Sequence, residues 1–261
     1  MTDETSGRET AKGRLDIVGV GPGASRWITP EVNDILEQAS DLVGYGPYLA
    51  RLPMRAGQTH HKSDNRVEIC RARTALELAA EGRHVAVVSG GDPGVFAMAA
   101  AVFEAIDMGA PAWRDLDINV CPGISAMQAA AARVGAPLGH DFCAISLSDN
   151  RKPWSLIARR LSAAADGDFV IALYNPASQA RPDQINAAFA LLRDRKSAAT
   201  PVVFAQSIGR PDEHIVTTTL AAADPAIADM RTLIVIGSSA TRVIARPGKP
   251  PFVYTPRSAA E

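Results

Sequence analysis

Short apolar runs, most of them followed by a turn and then by a segment of helical period, recur along almost the whole of this chain. They are Leu15 to Val20, Leu42 to Tyr45, Val85 to Val88, Ile118 to Val120, Phe142 to Leu147, Phe169 to Tyr174, Val202 to Ala205 and Leu233 to Ile236. Runs of this length bounded by glycine, proline and polar turn residues read as buried strands. Strands alternating with helices give an α/β protein, here expected to have largely parallel sheets. The helices have their own marks. Thr29 caps one that starts at Pro30, with Val32, Ile35, Leu36 and Ala39 on one face. Ile69, Ala72, Leu76 and Ala79 mark a second, closed by Gly82, and an Ala-rich third runs to about Met108. Trp154 to Ala165 and Pro182 to Arg195 follow.

With 261 residues the chain can form one large domain or two lobes. The Gly135 to Gly139 stretch, with Pro137, reads as a break. The expected division is a disordered polar tail over 1–13, an N-terminal α/β lobe over 14–121 and a C-terminal α/β lobe over 122–261. A net charge of −1 provides no field for nucleic acid or an anionic membrane surface. No apolar run is long enough to span a bilayer, and the polar tail lacks the apolar core of a signal peptide. Cys70, Cys121 and Cys143 have no disulfide or zinc spacing. They read as small buried fillers in a cytoplasmic protein without a metal site.

Chemistry is expected at the strand ends. Ser89-Gly90-Gly91-Asp92-Pro93-Gly94-Val95-Phe96 follows a buried strand and precedes a helix. Turns that cradle phosphate expose backbone N–H groups and seldom carry a carboxylate in their middle. Asp92 would repel phosphate and receive an ammonium or hydroxyl donor instead. Gly19-Val20-Gly21-Pro22-Gly23-Ala24 satisfies the G-x-G-x-x-A pattern of dinucleotide folds, but its surroundings do not. Asp41 precedes the second strand where a ribose-binding acid should follow it, and the loop to Thr29 delays the helix.

Ser146-Leu147-Ser148-Asp149-Asn150-Arg151-Lys152-Pro153 is the densest polar run. It is either a helix-entry loop capped by Asp149 or Asn150, or a ligand loop whose Arg151 and Lys152 suit a substrate bearing several carboxylates. Leu173-Tyr174-Asn175-Pro176 also ends a strand. There Tyr174 and Asn175 offer a stacking face and an amide, and Ser178 a cap for the next helix. His60 and His61 lie in a polar loop from Arg55 to Arg66, either merely solvated or in contact with substrate.

Taken together, GVGPG, SGGDPGVF, CPGISA and LYNP, in that order from Gly19 to Pro176, resemble the tetrapyrrole (corrin/porphyrin) methylase family. The runs SLSDNRKPW, LYNPASQARP and MRTLIVIGSSATR are most similar to its branch that methylates precorrin-3B at C17 with ring contraction. The resemblance implies a homodimer of two-lobed chains, with S-adenosyl-L-methionine in the cleft between lobes and S-adenosyl-L-homocysteine as product. It implies cofactor contacts at Pro22, at Gly90, Gly91, Asp92 and Val95, and at Ser125 and Ala126. Further contacts are implied at Tyr174 and Asn175, at Gly209, and at Thr232 and Leu233. The tetrapyrrole would meet Gly21, Asn150, Arg151 and Lys152, with His60 and His61 as further candidates. Asp149, Ser146 and Ser148 are the candidates for the group that takes a hydroxyl proton during contraction.

Overall fold

The computed structural model of the chain describes residues 13–64, 67–178 and 182–258. The expected tail lies outside them, except Gly13, which is buried against the carbonyls of Ala79 and Arg83. The chain divides into two compact units, Met1–Ser125 and Ala126–Glu261.

The first unit runs β1 (Arg14–Gly19), α1 (Pro30–Gln38), β2 (Asp41–Tyr45), α2 (Gly46–Leu49), β3 (Thr59–Ser63), α3 (Glu68–Ala80), β4 (His84–Ser89), α4 (Met98–Met108) and β5 (Asp117–Cys121). Its strands form one sheet in the order β3-β2-β4-β1-β5, and every pairing is parallel. Alternate side chains feed two cores, so the sheet is covered on both faces. Leu15, Ile17, Val85 and Val87 pack with Ala72, Leu76 and Val102 of α3 and α4. Val18, Ala86 and Val88 pack with Val32, Ile35 and Leu36 of α1. Thr29 Oγ1 accepts the Val32 N–H at 3.3 Å, and Pro30 opens the helix as its sequence predicts. Gly82, at φ +87°, follows the end of α3 and donates to the Ala79 carbonyl.

The Arg55 to Arg66 segment, read as a loop, contains strand β3. Its residues Thr-His-His-Lys-Ser carry no apolar alternation; they are extended because they pair with β2 at the sheet edge. Asn65 and Arg66 lie outside the described residues.

The second unit runs α5 (Ala126–Val134), β6 (Gly135–Ala136), β7 (Phe142–Ser146), α6 (Trp154–Asp166), β8 (Val170–Tyr174), α7 (Gln184–Arg193), β9 (Pro201–Gln206), β10 (His214–Thr219), β11 (Thr232–Ile236), β12 (Arg242–Arg246) and β13 (Lys249–Tyr254). Its main sheet has the order β10-β9-β11-β8-β7. Here the expectation of largely parallel pairing fails: only β7–β8 is parallel, and the other three pairings are antiparallel. Strand direction depends on how connections return to the sheet, which local periodicity does not encode. A second sheet, β12-β13-β6, uses two residues of the expected Gly135 to Gly139 break. The core of the main sheet is closed by α6 and α7, with Phe189 and Phe204 stacked at 5.9 Å.

The cap residue of α6 is Pro153 and that of α7 is Asp183, neither with a side-chain cap, so Asp149, Asn150 and Ser178 do not serve as caps. Of the cysteines, Cys121 is buried and its thiol is pushed up to about 11, chiefly by burial. Cys143 is half-buried, and Cys70 is exposed on α3, contrary to its reading as a buried filler.

Candidate functional site

In the first unit the loops after β4, β1 and β5 emerge side by side, because these three strands are neighbours in a parallel sheet. They are joined by backbone. Gly21 N–H donates to Gly91 O at 3.2 Å and Gly91 N–H to Gly21 O at 3.0 Å, with both residues at positive φ. Gly19, Gly91 and Gly123 touch without side chains: a Cβ on Gly19 would lie 2.7 Å from Gly91 O and 2.8 Å from Gly123 Cα. A Cβ on Gly90 would lie 2.6 Å from Cζ of Tyr48, so that glycine makes room for a ring.

Asp92 sits at the centre of this arrangement. One carboxylate oxygen accepts the Gly94 N–H at 2.8 Å and the other the Gly123 N–H at 3.1 Å. It therefore braces its own turn and the loop after β5. Arg51, which sequence reasoning passed over, lies beneath the first glycine loop. Its guanidinium donates to the carbonyls of Val20 at 3.3 Å, Gly21 at 3.4 Å and Gly23 at 2.8 Å. Pro22 is half-buried in this loop, Val95 follows Asp92 in the second, and Ser125 is buried after the third.

His60 and His61 are not brought to these loops. His60 Nε2 faces Gln58 Oε1 at 3.2 Å, and Gln58 is anchored on the Leu36 and Ala39 carbonyls. His61 Nε2 lies 2.7 Å from Asp41 Oδ1. Asp41 opens β2 and so marks the amino end of the sheet, opposite the glycine loops. There it is 2 % exposed and also takes bonds from Ser40 and Arg83.

In the second unit the carboxyl ends of β7, β8 and β9 and the amino end of β11 share one edge of the sheet. Ser146, Ser148, Asp149, Tyr174, Asn175, Gly209, Thr232 and Leu233 all fall on or just beyond it. Ser146 Oγ accepts from Asn175 Nδ2 at 3.0 Å and from the Ser148 N–H at 3.3 Å. Asn175 holds its amide there from a left-handed backbone, φ +52°. Gln184 Nε2, at the start of α7, donates to Asp149 Oδ2 at 2.9 Å. The phenol of Tyr174 accepts the Met127 N–H at 3.1 Å, which ties the first turn of α5, and with it Ala126, to the same edge.

Gly209 has φ +76°, and its N–H is taken by Glu213 Oε2 at 2.6 Å. Thr232 and Leu233 are buried, and Thr232 Oγ1 donates to Asp229. Burial alone would raise the Asp229 carboxyl, but bonds from Thr232, Arg231 and Gln206 hold it below the usual range. Asn150 and Arg151 are exposed; Lys152 is half-buried, and burial together with Arg160 pulls its ammonium below the usual range. Gln179, Ala180 and Arg181 lie outside the described residues.

Arg51 and Gln184 reach their partners across 28 and 35 residues of chain, and nothing near them in the sequence signals it. Among the described residues no group of His, Cys, Asp and Glu is placed to hold a metal ion.

Residues 14–224 match the family model of tetrapyrrole (corrin/porphyrin) methylases. A precorrin-3B C(17)-methyltransferase from Sinorhizobium sp is 55% identical over 94% of this chain and 96% of its own length. The CobIJ cobalamin biosynthesis protein of Mycobacterium tuberculosis is 48% identical, with the chain spanning 46% of it. A probable cobalt-factor III C(17)-methyltransferase from Salmonella typhimurium is 40% identical over 88% of this chain and 94% of that protein. The crystal structure of the methyltransferase CobJ superposes with a TM-score of 0.89 at 50% identity, covering 94% of this chain and all of that one. Glycine loops locked edge to edge in one unit and polar strand ends gathered on one sheet edge in the other thus accompany a match along most of the sequence, and the chain belongs to the tetrapyrrole (corrin/porphyrin) methylase family.

Proposed function

We propose that this protein is an S-adenosylmethionine-dependent methyltransferase that methylates precorrin-3B at C17 with ring contraction to precorrin-4, a step of cobalamin biosynthesis. The observation that carries this reading is the 55% identity to a precorrin-3B C(17)-methyltransferase over nearly the full length of both chains. The lower identity, 40%, to a probable cobalt-factor III enzyme favours the metal-free substrate over the cobalt-containing one. As for the cofactor, the N–H groups of Gly21, Gly91 and Gly123 are engaged within the protein. Those three N–H groups are thus not directed at a phosphate, which suits a ligand that has amine and hydroxyl groups and no phosphate.

In the first unit Pro22, Gly90, Gly91, Asp92, Val95 and Ser125 hold the cofactor. In the second, Ala126, Tyr174, Asn175, Gly209, Thr232 and Leu233 do so; at Gly209 the contact is through the carbonyl, because Glu213 takes the N–H. S-adenosylmethionine supplies a methyl group already activated on a sulfonium, so the protein's main task is to align the ring carbon. Ser146 Oγ already accepts two hydrogen bonds and keeps its own proton to give, which makes it a donor to a developing oxyanion rather than a base. Asp149, oriented by Gln184, takes the hydroxyl proton as the ring contracts. Ser148 is the less suited acid–base candidate. Gly21 and Asn150 face the macrocycle, and Arg151 and Lys152 hold its carboxylate arms. His60 and His61 have no part in this, given their partners at the opposite end of the sheet.

The protein acts as a cytoplasmic homodimer; no helix among the described residues is long and apolar enough to cross a membrane. Incubation of the purified protein with precorrin-3B and S-adenosylmethionine, with mass and NMR analysis of the product, tests the reading. A C17-methylated, ring-contracted product is expected. Turnover confined to the cobalt-containing substrate would move the protein to the other C17 branch.

A further inference from the structure

Two cations are buried among the described residues, Arg71 at 6 % exposure and Lys196 at 8 %. Lys196 has a counter-ion, Asp168 Oδ1 at 3.0 Å. Arg71 has no carboxylate of the described residues within ion-pair distance of its guanidinium, although Glu68, one turn earlier on α3, is near enough to favour its charge. It reaches from α3 to neutral acceptors only. These are Ser63 Oγ at 2.7 Å from Nε, the Asp64 carbonyl at 2.7 Å from Nη2, and Met98 Sδ at 3.2 Å from Nη1.

A guanidinium has five N–H donors, and these bonds use three. Burial holds the group below the usual arginine range, yet an arginine this placed stays charged. A buried charge that no carboxylate contacts directly is costly, and the two N–H donors left over can take one more acceptor.

Three elements meet around Arg71. Ser63 ends β3 and Asp64 follows it, while Met98 opens α4 with its N–H toward Ser89 Oγ at 3.5 Å. Arg71 therefore lies at the edge of the sheet that carries the SGGDPG turn. Glu68 first, and then Tyr48 and Tyr45, edge to face at 5.3 Å, stand close enough to act on its charge, and the Tyr48 ring is the one that Gly90 makes room for. Phe96, half-exposed in the same turn, holds φ +52°, a strained position for an aromatic residue.

We infer that Arg71, beside Tyr45 and Tyr48, forms an anion subsite that takes a carboxylate of a bound reactant. The inference rests on the methyltransferase reading, under which two sources exist: an acetate or propionate arm of the tetrapyrrole, and the amino-acid end of the cofactor. The test compares the wild type with Arg71→Met and Arg71→Lys. Binding of the stable polycarboxylate uroporphyrin III is followed by fluorescence, binding of S-adenosylhomocysteine by calorimetry, and unfolding by Tm.

Arg71→Met is expected to weaken one of the two ligands on the order of 10- to 100-fold, the worth of a charge-assisted bond. Arg71→Lys should recover part of that loss. Loss confined to uroporphyrin assigns the subsite to a substrate arm, and loss confined to S-adenosylhomocysteine to the cofactor. The Tm of the ligand-free Arg71→Met variant should be unchanged or raised, because a buried charge that lacks a directly paired carboxylate has been removed. Unchanged affinity for both ligands overturns the inference. So does a lowered Tm with both ligands lost, the mark of a purely structural arginine. A wild type that binds these ligands but leaves precorrin-3B untouched refutes the proposed reaction and not the subsite.

Discussion

Gly123→Ala isolates the contact on which the three loops of the first unit depend. The new methyl would stand against Gly91 O, 2.7 Å from Gly19 O and 2.8 Å from Gly19 C, all backbone atoms. Ordinary carbon contacts sit near 3.5–4.0 Å, so the loops must part by roughly 1 Å. They cannot part freely, because Gly91 is bonded to Gly21, and Gly123 itself donates to Asp92. Overpacking of this kind costs about 1–3 kcal/mol, which for a chain of this size lowers Tm by about 2–12 °C. S-adenosylhomocysteine affinity should fall with it, since Asp92 loses one of the two N–H groups that fix its carboxylate. Gly46→Ala is the control, because a Cβ there meets nothing within 4 Å and the change should stay within about 0.5 kcal/mol. Thermal unfolding and calorimetry on both variants provide the reading. A Gly123→Ala protein with wild-type Tm and wild-type affinity would refute the argument that these glycines are required by backbone contact.

Two further outcomes are expected. Burial would raise the Asp41 carboxyl, but bonds from His61 and Ser40 and the charge of Arg83 outweigh it and hold the group below its usual range. A depressed folded-state pKa contributes stability that is complete above the unfolded value, about 3.9, and is lost as pH falls through the folded value. Asp41→Asn should therefore cost roughly 1–3 kcal/mol at neutral pH in denaturant titrations, with the gap to wild type closing below about pH 4. A gap that stays constant down to pH 3 would contradict the assignment. Asp149→Asn should lower turnover of precorrin-3B by about 10²- to 10⁴-fold while S-adenosylhomocysteine binding is retained; full turnover would exclude Asp149 as the base.

Much of this molecule was legible in local pattern. Every apolar run named from the sequence became a strand, and Thr29, Pro30 and Gly82 end their helices as their chemistry requires. Those signals are carried by neighbours in the chain: burial on both faces, the helical repeat, a capping oxygen, a glycine past a helix end. The GVGPG, SGGDPGVF and CPGISA turns were likewise visible as strand ends. Their mutual locking was not, because Gly19, Gly91 and Gly123 meet only once β4, β1 and β5 lie side by side. Strand β3 is polar and β10 only partly buried, and each owes its extended form to a pairing with a neighbouring strand. The antiparallel course of the second sheet has the same origin. The side chains that organise the candidate sites, Arg51 on three loop carbonyls, Gln184 on Asp149 and Arg71 on Ser63 and Asp64, have no sequence signature. Periodicity reports which face of an element is buried, whereas the partner of a long polar side chain depends on which distant backbone the fold lays beside it.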